Sequence, residues 1–186
     1  MLLVRRTSLR WAVKTHYMVE LKGVEINGST FSCEGDQLAC LIEAVAPAIG
    51  ECVWFASDLS DQIDGSISIP EGERMPQLIG DTVTTTTWLK QVSQFVWAVF
   101  LAVPVETLPV AWIDDVWAET APFRDIGSAR LEIRCFDGSH IYAFAPEPGL
   151  IQLLVEHFRV EVQTPGTSSW SQSYWRAENG EAADTD

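Results

Sequence analysis

The chain has 186 residues and sets 26 Asp and Glu against 12 Lys and Arg, a formal net charge of −14. Such a field repels nucleic acid and anionic lipid over most of the surface and speeds encounter with a basic protein. At 47% hydrophobic composition the chain can bury a sizeable core, which argues against general disorder, and its length favours one domain over two.

Arg5, Arg6, Arg10 and Lys14 gather at the start, so residues 1–14 read as a basic N-terminal extension. Beyond them 8 basic residues face all 26 acidic ones, a formal charge of −18. Met1 to Val4 are apolar, but Arg5 and Arg6 interrupt them before a signal core can form. The longest apolar run, Phe95 to Val103, stops at Pro104, well short of the roughly 20 residues that a membrane-spanning helix needs. A cytoplasmic protein with no membrane span is the expectation. Cys33, Cys40, Cys52 and Cys135 contain no Cys-x-x-Cys pair and each sits beside apolar residues. Reduced, core-type thiols are therefore expected in place of disulfides or a zinc site.

His16 to Leu21 is rich in β-forming residues, and Asn27-Gly28 supplies a turn before Phe31, which predicts an opening strand or hairpin. Leu38, Leu41, Ile42 and Val45 recur on one helical face, with Asp36 as the cap and Pro47 as the limit. Cys52-Val-Trp-Phe55 reads as a buried strand within Glu51 to Ala56. From Ser57 to Gly80 the acidic residues, glycines and prolines predict an exposed loop, with a brief strand near Ile67 to Ile69.

Asp81 caps a helix whose stripe is Trp88, Leu89, Val92 and Phe95, despite the low helix propensity of four consecutive threonines. Phe95 to Val103 reads as a central strand buried on both faces. Asp137-Gly138 predicts a two-residue hairpin turn within Ala129 to Ala145. That register sets Cys135 opposite His140, Ile133 opposite Tyr142 and Leu131 opposite Phe144 on an apolar face, leaving Arg130, Glu132 and Arg134 to the other, polar face. After Pro146 and Pro148, the residues Leu150, Ile151, Leu154, Val155 and Phe158 make a helical stripe. Together these elements predict a single α+β domain over residues 15–162, with a predominantly antiparallel sheet and two or three packed helices. A flexible acidic tail follows over 163–186.

Recognisable chemistry is scarce. The sequence has no phosphate loop, dinucleotide fingerprint, His-Glu-x-x-His motif or nucleophile elbow. His140 beside Cys135 would be a thiol and base pair, but the same register explains both as sheet residues. No catalytic residue, cofactor or metal ligand is assigned. Asp58, Asp61 and Asp64 recur every third residue and suit a solvated acidic loop, oxygen ligands to a divalent cation, or contacts to Lys and Arg of a partner; the pattern does not match a calcium loop. Trp112 and Trp117 flank Asp114 and Asp115, combining anchor area with negative charge; burial in the core accounts for either tryptophan alone.

Trp54-Phe-Ala-Ser-Asp58, Gln94-Phe-Val-Trp-Ala-Val-Phe100 and Leu131-Glu-Ile-Arg-Cys-Phe-Asp137, followed by the last amphipathic helix, give the chain a resemblance to small acidic immunity proteins of bacterial polymorphic toxin systems. The resemblance spans roughly residues 15–160. It implies tight, stoichiometric neutralisation of a cognate toxin, often over its active site. The expected function is accordingly an acidic protein-binding module and inhibitor of a basic toxin or effector. Its contacts would be Asp58, Asp61, Asp64, Trp112, Asp114, Asp115 and Trp117, with no nucleic acid, membrane or cofactor involved. Two other classes stay open: a small hydrolase or metal-dependent ligand-binding enzyme with converging carboxylates, and a structural homo-oligomeric subunit.

Overall fold

The apolar run after Phe95 becomes the strand around which the other elements are laid. In the computed structural model, which describes residues 17–21, 25–26, 29–30, 32–60, 73–110, 116, 118 and 129–159, this strand spans Trp97–Pro104. In chain order the elements are β1 (Tyr17–Glu20), β2 (Glu25–Ile26), β3 (Ser29–Thr30), α1 (Gly35–Ile49), β4 (Cys52–Ser60), β5 (Gln77–Asp81), α2 (Thr82–Leu89), β6 (Trp97–Pro104), β7 (Leu131–Phe136), β8 (His140–Ala145) and α3 (Pro148–Phe158). Six strands form one antiparallel sheet in the order β1-β8-β7-β6-β4-β5, and β2 pairs with β3 as a separate ribbon. The chain is a single α+β domain, and none of its described helices is long and apolar enough to cross a membrane.

Strand alternation decides which residues meet the helices. Ala98, Phe100 and Ala102 of β6, Leu131, Ile133 and Cys135 of β7, and Ile141, Ala143 and Ala145 of β8 share one core with the buried stripes of all three helices. α1 contributes Leu38, Leu41, Ile42, Val45 and Ile49, as its period demands, and α3 contributes Leu150, Ile151, Leu154 and Phe158. Trp88, Phe95 and Phe100 meet edge-on or tilted, with ring centroids 5.4 to 6.4 Å apart. Full burial of one such side chain stabilises the fold by about 1.5–3 kcal/mol.

Several local expectations need correction. The stripe of α1 is as read, but Pro47 lies inside the helix, which runs on to Ile49 and closes at Gly50 (φ 71°). An exposed proline this close to the end removes one N–H from the ladder without turning the chain. The N-cap of α1 is Glu34, not Asp36, and its side chain makes no cap. Asp36 accepts from the N–H of Gln37 at 2.8 Å, and Gln37 reaches back to accept from the N–H of Ser32 at 2.6 Å. Asp81 does cap α2, accepting from the N–H of Thr84 at 2.8 Å. That helix ends at Leu89, so Val92 and Phe95 fill the core from the connection that follows.

The loop expected from Ser57 to Gly80 is partly sheet. β4 continues through Ser57 and Asp58 to Ser60, and Gln77 to Gly80 belong to β5. The brief strand near Ile67 to Ile69 falls outside the described residues.

The hairpin expectation is half right. Asp137 and Gly138 both take positive φ, 52° and 66°, and the N–H of Ser139 donates to the Phe136 carbonyl, so the Asp-Gly turn forms. Pairing then starts one residue later, with Phe136 opposite His140, Cys135 opposite Ile141, Arg134 opposite Tyr142 and Ile133 opposite Ala143. Ser139 is an extra residue between turn and strand. This slip sends Tyr142 and Phe144 to the face that carries Glu132 and Arg134.

Candidate binding face

The sheet face turned away from the helices is also covered. Phe55, Val99, Leu101 and Val103 pack there with Val116, Ala118 and Ala129, and Met18, Tyr142 and Phe144 form an adjoining cluster. Two charged residues lie in its floor, Glu132 at 0% and Arg134 at 1% side-chain exposure. They stand two apart on β7 and therefore project to the same side. Arg134 Nε donates to Glu132 Oε1, its Nη1 donates to the Ala118 carbonyl at 2.8 Å, and its guanidinium lies 5.6 Å from the centroid of the Phe144 ring. Buried charges persist when each finds an opposite charge and hydrogen-bond partners, and this pair has both.

On the β1 side, Tyr142 donates its hydroxyl to Glu20 Oε1 at 3.2 Å, both residues being buried. Burial first, and then the negative charge and hydrogen bond of Glu20, push the Tyr142 hydroxyl well above its ordinary titration range. His140 Nε2 lies 4.0 Å from the same carboxylate oxygen, beyond hydrogen-bond reach, and its Nδ1 is 2.9 Å from Ser139 Oγ. His140 therefore shares its face with Tyr142, while Cys135 faces the helices. The thiol and base pair suggested by the shorter turn does not form.

The edge of this face is built at a break in β4. Pairing with β6 shifts between Ser57 and Ser60, and Asp58 takes a left-handed φ of 53°. The shift sends Ala56 and then Leu59 to the helical core. It also frees Ser57 and Asp58 to reach the segment at 116–118. Ser57 Oγ donates to the Val116 carbonyl at 2.6 Å, and Asp58 Oδ2 accepts the N–H of Ala118 at 2.9 Å. The N–H of Val116 donates to the Arg74 carbonyl at 2.8 Å, and that of Asp58 to the Glu73 carbonyl at 2.7 Å. Three stretches distant in sequence are thus fastened at one corner.

Of the seven residues singled out as contacts, Asp58 lies at this corner, half-buried, with its carboxylate occupied by Ala118. Asp61, Asp64, Trp112, Asp114, Asp115 and Trp117 lie outside the described residues, in the two segments that Asp58 and Val116–Ala118 border. Sequence reading passed over Glu20, Ser57, Glu132, Arg134 and Tyr142. One signal was available for Arg134 and Glu132: opposite charges two apart on a strand whose partner, His140 to Ala145, is apolar at almost every position.

Among the described residues no group of His, Cys, Asp and Glu is arranged to hold a metal ion. The four cysteines are free thiols. The described surface is uneven in charge: Lys90 pairs with Glu43 at 2.6 Å, Arg130 with Glu106 at 2.9 Å, and Arg134 is buried against Glu132. Asp36, Glu51, Asp81, Asp137, Glu147 and Glu156 are exposed without a cationic side chain of the described residues beside them. No protein-family model, curated protein or solved structure matches the chain.

Proposed function

We propose that the protein is an acidic protein-binding module that neutralises a basic partner by stoichiometric contact, in the manner of the immunity proteins it resembles. The observation that carries this reading is the fate of the cations. Lys90, Arg130 and Arg134 close on the chain's own carboxylates, while Asp36, Glu51, Asp81, Asp137, Glu147 and Glu156 stand exposed with no described cation beside them. A surface of this kind steers a cationic protein toward it and disfavours acidic ones. In this reading Asp61, Asp64, Trp112, Asp114, Asp115 and Trp117, which neighbour the corner residues in sequence, supply the contacts together with Asp58. The tryptophans act as anchors and the carboxylates as the charged rim.

The test is affinity capture of the tagged protein from its source lysate at low and high salt, with mass spectrometry of what is retained. One basic protein at near-equal stoichiometry, retained more weakly as salt rises, supports the reading. Recovery of nothing above background, or of an acidic protein indifferent to salt, overturns it.

A second reading, a self-associating subunit, draws on Leu78 and Val83, which are 58% and 71% exposed on β5 and the first turn of α2. A solution mass that rises with concentration supports it, and a constant monomer mass removes it.

A further inference from the structure

We infer that β5 is a docking edge, on which an extended, cationic segment of the basic partner adds as a further strand of the sheet. The inference rests on the reading of a basic partner and says where that partner sits. An open sheet has two edges, and here they differ. At one end β1 is closed in: Met18, Val19, Glu20 and Leu21 are buried, and α3 packs on the strand. At the other end β5 lies open, with Gln77, Leu78 and Asp81 exposed. Beyond the ladder to β4, no backbone bond of Gln77, Leu78 or Ile79 forms among the described residues. Alternate N–H and C=O groups of such a strand point outward, a template on which another chain pairs.

Apolar side chains flank this edge on both faces. Leu78 stands opposite Phe55 and so projects away from the helices, bordering the Phe55 cluster while 58% exposed. On the helical side the first turn of α2 folds back over Gly80, where a Cβ would stand 2.9 Å from the Thr84 side chain. Val83, in that turn, is 71% exposed. β5 also carries no lysine, the charge that most often guards an exposed edge.

Charge selects the occupant. Asp81 is exposed at the end of the strand, and one of its oxygens accepts the N–H of Thr84, which leaves lone pairs on the carboxylate for a cation. Val53, its cross-strand partner, follows exposed Glu51 by two positions. Arg74 is the cation nearest in sequence and lies at the corner ahead of the strand. A second copy of the chain would set −14 against −14. A segment that alternates Lys or Arg with apolar residues instead lays its apolar positions beside Leu78 and its cations near Asp81. The Asp58 corner leads straight into this edge, because the carbonyls of Glu73 and Arg74 accept from the N–H groups of Asp58 and Val116 just ahead of β5. A partner that meets the corner is therefore already beside the strand.

The test follows amide hydrogen exchange of the isotope-labelled full chain by NMR with three short synthetic peptides: alternating Lys and Val, alternating Glu and Val, and the Lys-Val peptide with alternate backbone nitrogens methylated. The Lys-Val peptide should slow exchange at the outward amides of β5 by about tenfold or more, and the methylated peptide, with the same charge but fewer donors, should not. Leu78→Lys, at an exposed site, should keep the dispersed spectrum of a folded chain and weaken the Lys-Val peptide by about tenfold or more. Protection elsewhere than β5, or equal binding of the methylated peptide, overturns the inference and leaves the basic-partner reading standing. Equal protection of β5 by the Glu-Val peptide removes the cationic occupant and, with it, the charge argument for that reading. Protection of β5 that grows with protein concentration and needs no peptide assigns the edge to a second copy and also overturns the inference.

Discussion

Asp58 and Ala118, sixty positions apart, are joined by one hydrogen bond in which the carboxylate accepts the backbone N–H at 2.9 Å. The bond depends on the left-handed backbone at Asp58, since an extended residue there would alternate with its neighbours and not reach the 116–118 segment. Asp58→Ala should lose both the charge-assisted bond and a side chain tolerant of positive φ, a cost of about 2–4 kcal/mol. Asp58→Asn keeps the conformation and an acceptor oxygen, and should lose about 1 kcal/mol. Equilibrium urea unfolding checks both values, and equal losses for the two variants would remove this account of the corner.

The Glu132–Arg134 pair predicts a sharper asymmetry. Arg134→Met or Glu132→Gln alone takes the opposite charge away from a buried side chain and should cost about 3–5 kcal/mol. Replacing both with apolar residues of similar volume should recover most of that loss, because no unpaired charge is left. Thermal unfolding of the two single variants and the double variant measures the coupling. Additive losses would show that the pair acts independently.

Tyr142 carries a pH dependence of known sign. Its folded-state titration lies above the unfolded value of 10.0, so the folded protein holds the phenolic proton more tightly. Stability from this group is complete below pH 10 and is lost as the pH rises from there toward the folded value. In a native alkaline titration followed by phenolate absorbance, one of the three tyrosines should ionise late. Tyr142→Phe should abolish the late step.

The proposed partner contact predicts a kinetic effect. With the captured partner in hand, replacing Asp114 and Asp115 by Asn should slow association and flatten its dependence on salt, with dissociation less affected. Stopped-flow association at several ionic strengths reads this directly, beside a circular dichroism check of folding. Unchanged rates would move the contact away from these two carboxylates.

How far the sequence foretold these features depends on how local each one is. β6 was legible from an apolar run bounded by Pro104, α3 from its stripe, and the α2 cap from Asp81, all of which depend on neighbouring residues. The hairpin turn was legible for the same reason, from Asp137 and Gly138. Its register was not, because His140 to Ala145 is apolar enough to sit either way up and both faces of the sheet are covered. The same cover concealed Glu132 and Arg134, whose alternation with apolar residues otherwise reads as a solvent face. Asp58 was chosen as a charge, yet its bond to Ala118 depends on a left-handed residue and a distant segment, neither of which leaves a local pattern.

The entry into α1 carries one more consequence. A Cβ on Gly35 would collide with the carbonyl oxygens of Leu89 and Val92, so the first residue of α1 lies directly against the end of α2. The positive pole of one helix macrodipole thus meets the negative pole of the other. Glu34 makes no side-chain cap there, while Asp36 in the first turn of α1 and Lys90 directly after α2 carry charges of the sign that each pole favours. The backbones neutralise each other at the junction, which makes the two helices one continuous dipole bent back across the sheet. Any side chain at position 35 would separate the poles as well as the helices.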